Sequence, residues 1–235
     1  MGIKERQERD REAVRRSILD AARELFVTEG YQHVSIRKIA ERIEYSPAAI
    51  YSYFPSKDDI FFALAEEGFR LFALAEEGVR QLDERGVAAD RPKPLEPLDR
   101  IRAVFWNFYQ FSRQHPEYFT LMFMDRSVPR IVREYERFSF ARDIKQNMIE
   151  DLRRSIDAKS LPATVDPSIA FHLLVVAVLG VANMRLSDRG PTEIADELAR
   201  DVINVVIAGL QSGIRLDSTL APMITADEPR TAVAP

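Results

Sequence analysis

An all-helical chain in two parts is predicted by three features of these 235 residues. Apolar residues recur at spacings of three and four through most of the sequence, as on one face of a helix. Residues 35–57, SIRKIAERIEYSPAAIYSYFPSK, read as two short helices about a tight turn, the plan of a helix-turn-helix. Residues 167–186 include a run, Leu173 to Ala182, that is apolar on every side, as a deeply buried helix is. The expected organisation is a charged N-terminal arm at 1–12 and a three-helix helix-turn-helix domain at 13–58. A larger C-terminal helical domain follows at 59–212, then a tail without periodicity at 213–235.

The first helix carries Val14, Ile18, Ala21, Ala22, Leu25 and Phe26 on one face, and Gly30 follows where a closing residue is wanted. Residues 1–16, MGIKERQERDREAVRR, are charged throughout; they extend this helix or form an arm, and no signal peptide is visible. Ser35 stands as an N-cap, and Ile36, Ile39, Ala40 and Ile43 make the buried stripe of the second helix. Arg37, Lys38, Glu41 and Arg42 stay outside. Tyr45 and Ser46 end the turn. Ser46 caps the third helix, with Pro47 at its first position, where a missing N–H costs nothing. Ile50 and Phe54 point inward, so Pro47, Ala48, Tyr51 and Ser52 face out. An outward face of small residues and one tyrosine makes sense against DNA, where small residues permit close approach. Pro55 ends the helix, Ser56 caps the next, and Lys57 lies within reach of a phosphate.

On these residues the chain resembles the TetR family of bacterial transcriptional regulators. The likeness is carried by ILDAARELFVTEGY, the run SIRKIA, and AIYSYFPSKDDI, within residues 14–60. It implies that Arg37 faces the groove and that Ser35, Tyr51, Tyr53 and Lys57 contact phosphates. It further implies that Pro47, Ala48, Ala49 and Ser52 approach base edges; Lys38 and Ser46 complete the candidate DNA-binding set. Glu44 departs from the glycine usual in that turn. If its φ is positive, the cost is about 1 kcal/mol.

Residues 57–82 read as one long helix containing a near repeat, FALAEEGFR at 62–70 and FALAEEGVR at 72–80. A ten-residue offset rotates the copies by about 80°, so they present different faces. Gly68 and Gly78 are expected to soften this connector. Residues 83–97 read as a loop from their Gly and Pro content. Aromatic helices come next, with Phe105, Trp106, Phe108, Tyr109 and Phe111, then Tyr118, Phe119, Met122 and Phe123 after Pro116. A helix from about 129 to 158 carries Ile131, Tyr135, Phe138, Ile144, Met148, Leu152 and Ile156. An ordinary aromatic core and an apolar ligand cavity both fit this pattern. The candidate ligand residues are Phe105, Trp106, Tyr109, Phe119, Met122, Phe123, Phe138, Met148, Leu174 and Val178. Asn107, Tyr109, Gln110 and His115 are the polar groups available to orient a small apolar effector.

Asp166-Pro167 opens the apolar helix, whose run is expected to be too short for a bilayer and is interrupted by His172, Asn183 and Arg185. Gly190-Pro191 opens the last helix. The resemblance implies that the last two helices pair with those of a second copy. Val175, Leu179, Asn183, Leu198, Val202 and Val206 are the candidate homodimer residues.

The formal net charge is −4, but residues 1–57 hold eleven Lys/Arg against nine Asp/Glu, and the remainder 22 against 28. A weakly basic front on an acidic body fits DNA binding by one face. The absence of cysteine excludes disulfides and thiol chemistry and suits a cytoplasmic location. His33, His115 and His172 lack acidic or nucleophilic neighbours at suggestive spacing, and there is no phosphate loop or zinc-helix motif. No enzyme activity, metal or cofactor is expected. The expected partners are a near-palindromic double-stranded operator, a second copy of the chain and the effector, with no membrane. The expected activity is repression relieved by the effector. The competing reading is a dimeric helical carrier or adaptor that binds an apolar molecule without DNA.

Overall fold

The computed structural model describes residues 2–84, 95–125, 127–129, 138–188 and 192–213. Among these the architecture is all-α, with nine α-helices. They are α1 (Ile3–Glu29), α2 (Ile36–Arg42), α3 (Pro47–Tyr51), α4 (Lys57–Glu84), α5 (Pro97–Gln114), α6 (Pro116–Phe119), α7 (Ser139–Asp157), α8 (Pro167–Leu186) and α9 (Ala195–Gln211). The first three form the N-terminal domain; α4 joins it to a bundle of α5–α9.

Of the two readings of the charged N-terminus, the structure has the continuous helix: α1 begins at Ile3. Its buried face, Ile18, Leu19, Ala21, Ala22 and Phe26, packs against α2, and shares one core with Ile36, Ile39 and Ala40 of α2 and Ile50 of α3. Gly30 closes α1 at φ 82°, and its N–H donates to the Phe26 carbonyl at 3.0 Å. Positive φ there favours a residue without a Cβ.

The two copies of the repeat in α4 lie in unlike surroundings, as an 80° offset requires. Leu64 is 1% exposed and its counterpart Leu74 is 63% exposed. Gly68 and Gly78 differ as sharply. A Cβ at Gly68 would meet Met122 Sδ at 2.4 Å and Tyr118 Cδ1 at 3.3 Å, whereas one at Gly78 would meet nothing within 4 Å. Gly68 is thus a close-approach position where α6 crosses α4, rather than a softener of the connector.

After α6 the chain makes one wide turn, Thr120–Met124, closed by the Asp125 N–H donating to the Thr120 carbonyl at 2.9 Å. This turn keeps Phe119 and Phe123 on one side. Phe119 and Phe123 (5.0 Å between ring centroids), Phe108 and Phe123 (5.3 Å) and Phe72 and Phe108 (5.3 Å) then follow one another, tilted or edge to face, along the α4–α5 seam. Phe138 joins through Phe69 at 5.4 Å.

The loop expected at 83–97 is narrower: α4 is described to Glu84 and α5 opens at Pro97, and 85–94 lie outside the described residues. The helix expected from 129 is described from Ser139, with Ile131 and Tyr135 outside. Gly190-Pro191 and residues 214–235 are outside as well.

The length argument against a membrane span does not hold for α8. It has 20 residues with a mean hydropathy of 1.9, which is long and apolar enough to cross a bilayer by length and composition. It packs instead against α5, α7 and α9, with Ala170, Leu174, Val178, Val181 and Ala182 inward. Arg185 near its end donates to the Ser112 carbonyl at 2.5 Å. Burial on every side is not found within one chain. His172, Leu173, Val176, Gly180, Asn183 and Met184 are exposed, and a Cβ at Gly180 would meet nothing within 4 Å.

Candidate nucleic-acid interface

The α2–α3 unit is set by its caps and its three inward isoleucines. Ser35 Oγ accepts from the Lys38 N–H at 3.2 Å, and Ser46 Oγ accepts from the Ala49 N–H at 3.2 Å. Each cap stabilises its short helix by about 1 kcal/mol. Between them the chain reverses at Glu44, with φ 59°, and the Tyr45 N–H returns to the Ala40 carbonyl at 2.9 Å. Ile50 is fully buried and Phe54 nearly so, which fixes the rotation of α3.

That rotation leaves Ser46, Pro47, Ala48, Tyr51 and Ser52 exposed, with Ala49 and Tyr53 half-buried. Tyr51 is 54% exposed. Tyr45, not among the expected site residues, is exposed beside them; an aromatic residue in an otherwise polar turn is the signal that could have found it. The outward side of α3 is a low ridge of small residues with one long projecting side chain, Tyr51.

Around the ridge stand cations that the protein already pairs. Arg37 Nε donates to Glu41 at 2.8 Å, Lys38 pairs with Glu29, and Arg42 pairs with Glu24. Exposed pairs of this kind are worth about 0–1 kcal/mol, so exchange for a phosphate is inexpensive. Lys57 is held more firmly. Its ammonium donates to the carbonyls of Tyr31 (2.9 Å) and Val34 (3.0 Å) and lies 4.0 Å from the Tyr31 ring centroid. Two of its three N–H groups thus brace the loop between α1 and α2. Tyr31 in turn donates to Asp58; burial, and then this carboxylate, push the phenol's pKa up.

The N-terminal domain is tied to the body by α1. Arg16 bonds Glu67 of α4 at 2.5 Å, and Arg23 donates to the Tyr118 hydroxyl of α6 at 2.8 Å with its guanidinium 5.1 Å from that ring. These links were not expected, because nothing local in the sequence marks partners 51 and 95 positions apart.

The candidate ligand residues do not form one set. Phe119, Met122, Phe123 and Phe138 gather on the α4 side of α5, and Phe105 faces Phe171 of α8 at 6.3 Å. Trp106 and Tyr109 look toward α9. Arg200 lies 4.4 Å from the Trp106 ring, and the Tyr109 hydroxyl donates to Asp196 at 2.9 Å. Burial first, then this bond, push the Tyr109 phenol up to about 12. Tyr109 therefore spends its polar group on α9 rather than on a guest. Leu174, Val178 and Met148 are buried core residues. Gln110 is half-buried, His115 sits between the rings of Phe111 and Tyr118, and Asn107 keeps a buried Nδ2 without a hydrogen-bond partner.

Of the expected pairing residues, Asn183 is exposed and Val175, Leu179, Leu198, Val202 and Val206 are half-buried. The most exposed apolar positions on these two helices are Val176 at 66% and Val205 at 70%. Neither could be singled out from the periodicity of helices with apolar residues on so many sides.

Residues 18–64 match the family described as "Bacterial regulatory proteins, tetR family". Over 55 residues the chain is 46% identical to the HTH-type transcriptional repressor Rv1474c of Mycobacterium tuberculosis, covering 23% of this chain and 29% of that one. The likeness thus spans less than a third of that relative's length. Over most of the chain the fold is that of the TetR-family regulator PfmR from Thermus thermophilus, at TM-score 0.59 and 24% identity, covering 82% of this chain and 98% of the other. It is also that of FadR from Bacillus subtilis, solved in complex with stearoyl-CoA, at TM-score 0.63 and 17% identity over 85% and 98% of the two chains.

Proposed function

We propose, from the premise that this chain belongs to the tetR family of bacterial regulatory proteins, that it is a DNA-binding transcriptional repressor acting as a homodimer. The observation that carries the reading is the exposed ridge of α3, where Pro47, Ala48, Tyr51 and Ser52 turn outward while Ile50 and Phe54 anchor the helix. A carrier without DNA gives no reason for that face.

In this reading α3 lies in the major groove. Ala48, Ala49 and Ser52 approach base edges and Pro47 allows the helix start to sit low. Tyr51 and Tyr53 meet phosphates on either side, with Arg37, Lys38, Ser35, Ser46 and the remaining N–H of Lys57. Doubling of the reading helix adds to the specificity. The exposed side of α8 and α9, around Val176, Gly180 and Val205, is supported as the seam with a second copy because it is apolar and open. Two reading helices about one DNA turn apart then select a near-palindromic site.

The effector is an apolar molecule that enters among the α4–α6 rings, and the stearoyl-CoA complex of the Bacillus protein supports an acyl chain as the first to test. Entry requires those rings to part. Repression is relieved only if the ligand favours the parted state over the DNA-fitting one; tight binding to both would shift nothing. The Arg23–Tyr118 and Arg16–Glu67 links are the route by which displacement of α6 or α4 tilts α1 and the reading unit.

The test is selection of duplexes from a randomised pool by the full chain, followed by titration with stearoyl-CoA. The expected result is an enriched palindromic motif bound by a dimer, with affinity falling as the acyl thioester is added. Recovery of the pool without enrichment contradicts the regulator reading; enrichment unaffected by stearoyl-CoA contradicts the acyl-chain effector alone.

A further inference from the structure

We infer that the first turns of α1 make a second, sequence-independent contact with the DNA backbone, centred on Arg11 and placed beside the end of α3. The inference rests on the DNA-binding reading above and adds to it a binding surface upstream of the segment that matches the family.

The charge distribution calls for such a surface. Residues 3–16 hold six Lys/Arg against four Asp/Glu, whereas residues 17–57 hold five of each. The helix-turn-helix itself is therefore neutral, and the positive balance of the N-terminal domain is carried wholly by these first turns. A duplex presents one negative charge about every 1.7 Å of its axis, so affinity depends on where cations stand.

The core does not explain these turns. Ile3 precedes residue 18, where the family match begins, by fifteen positions, about 22 Å of helix. Residues 4–13 are all exposed. Fixing these helical turns costs conformational entropy, and residues 4–13 bury no side chain in return.

The geometry gives them a place. Lys4, Arg11 and Arg15, spaced seven and four apart, share one side of α1. On that side the Arg11 guanidinium lies 5.7 Å from the Tyr53 ring centroid, and that of Arg15 lies 5.3 Å from Phe54. Gln7, Asp10, Arg11, Val14, Ser52 and Tyr53 line a cleft of about 370 Å³ between the two helices. Ser52 and Tyr53 directly follow Tyr51, so the cleft adjoins the exposed ridge. Among the described residues Lys4 and Arg11 have no carboxylate partner, in contrast with Arg37, Lys38 and Arg42. A guanidinium stacked on a phenol ring and free of an acid is set to fork onto a phosphate, with the Tyr53 hydroxyl and Gln7 amide as neutral donors beside it. Asp10 on the same cleft opposes this, which makes the inference testable in both directions.

The experiment compares wild type, Arg11→Gln, Arg11→Lys and Asp10→Asn, all full-length, on two duplexes across a salt series. One duplex is that enriched by the wild type from a random pool; the other is its scrambled counterpart. Arg11→Gln is expected to weaken both by a similar factor, roughly three- to tenfold near physiological salt. It should also lower the slope of log affinity against log salt by about one per protomer. Arg11→Lys keeps most of the slope, and Asp10→Asn strengthens binding to both. Unchanged affinity and slope in Arg11→Gln, with the wild type still preferring the enriched duplex, overturns this inference and leaves the regulator reading standing. So does a loss that comes with a lowered melting temperature and an unchanged slope, since that marks a folding role. If the wild type shows no preference for any duplex, the regulator reading fails and this inference with it.

Discussion

Glu44 holds a left-handed turn, φ 59°, where side chains are disfavoured, and it is exposed two positions before the Ser46 cap of α3. Glu44→Gly removes both the strain and the charge. Thermal unfolding should report a gain of up to about 1 kcal/mol, reduced by the added freedom of the unfolded chain. A lower melting temperature would mean that the turn gains more from the glutamate than the backbone loses. Lys57 is more heavily committed. Lys57→Ala takes one of two donors from the Tyr31 carbonyl, which keeps the Val34 N–H, and leaves the Val34 carbonyl without its ammonium donor, so about 1–3 kcal/mol of stability should be lost in denaturant titration. The same variant should weaken binding to all duplexes alike and lower the salt slope by about one per protomer. An unchanged slope would leave Lys57 a brace and nothing more.

At the scale of elements, α4 shows how far a sequence pattern reaches. The turn arithmetic of its repeat assigns different faces to the two copies, and Leu64 and Leu74 lie buried and exposed accordingly. The role of Gly68 was not legible, because it depends on Tyr118 of α6 and Met122 of the wide turn after it, fifty positions or more downstream. Gly68→Ala should cost about 1–3 kcal/mol in thermal unfolding, since a Cβ at 2.4 Å from Met122 Sδ forces repacking; Gly78→Ala, with open space around it, should be neutral or stabilising. Equal effects at the two sites would refute the close-approach account. The caps and anchors of the α2–α3 unit were legible, Ser35 and Ser46 as caps and Ile50 and Phe54 as anchors, because those signals are local. The aromatic helices were not. Phe105, Trp106, Phe108 and Tyr109 all read as pocket candidates or core, and only the angle of α5 to its neighbours separates the α4-facing rings from those that meet α9.

For the whole molecule, the proposed homodimer rests on the exposed apolar side of α8 and α9. Within one chain, Val176 and Val205 lie open to solvent, an arrangement a second copy would cover. Val176→Glu should yield a monomer by sedimentation, with melting of the N-terminal domain unchanged. Its affinity for the enriched duplex should fall by at least tenfold, because one reading helix then binds without the other. A dimer that survives Val176→Glu would place the seam elsewhere.

All of these scales depend on α3 reading DNA with its outward side, and Tyr51 is the side chain that tests this most directly. It is 54% exposed and packs into no core, so Tyr51→Ala should leave the fold and the dimer intact. Titration of the enriched duplex by fluorescence anisotropy is expected to show at least tenfold weaker binding for Tyr51→Ala, corresponding to about 1.4 kcal/mol or more. Wild-type affinity in a correctly folded, dimeric Tyr51→Ala protein would contradict the account.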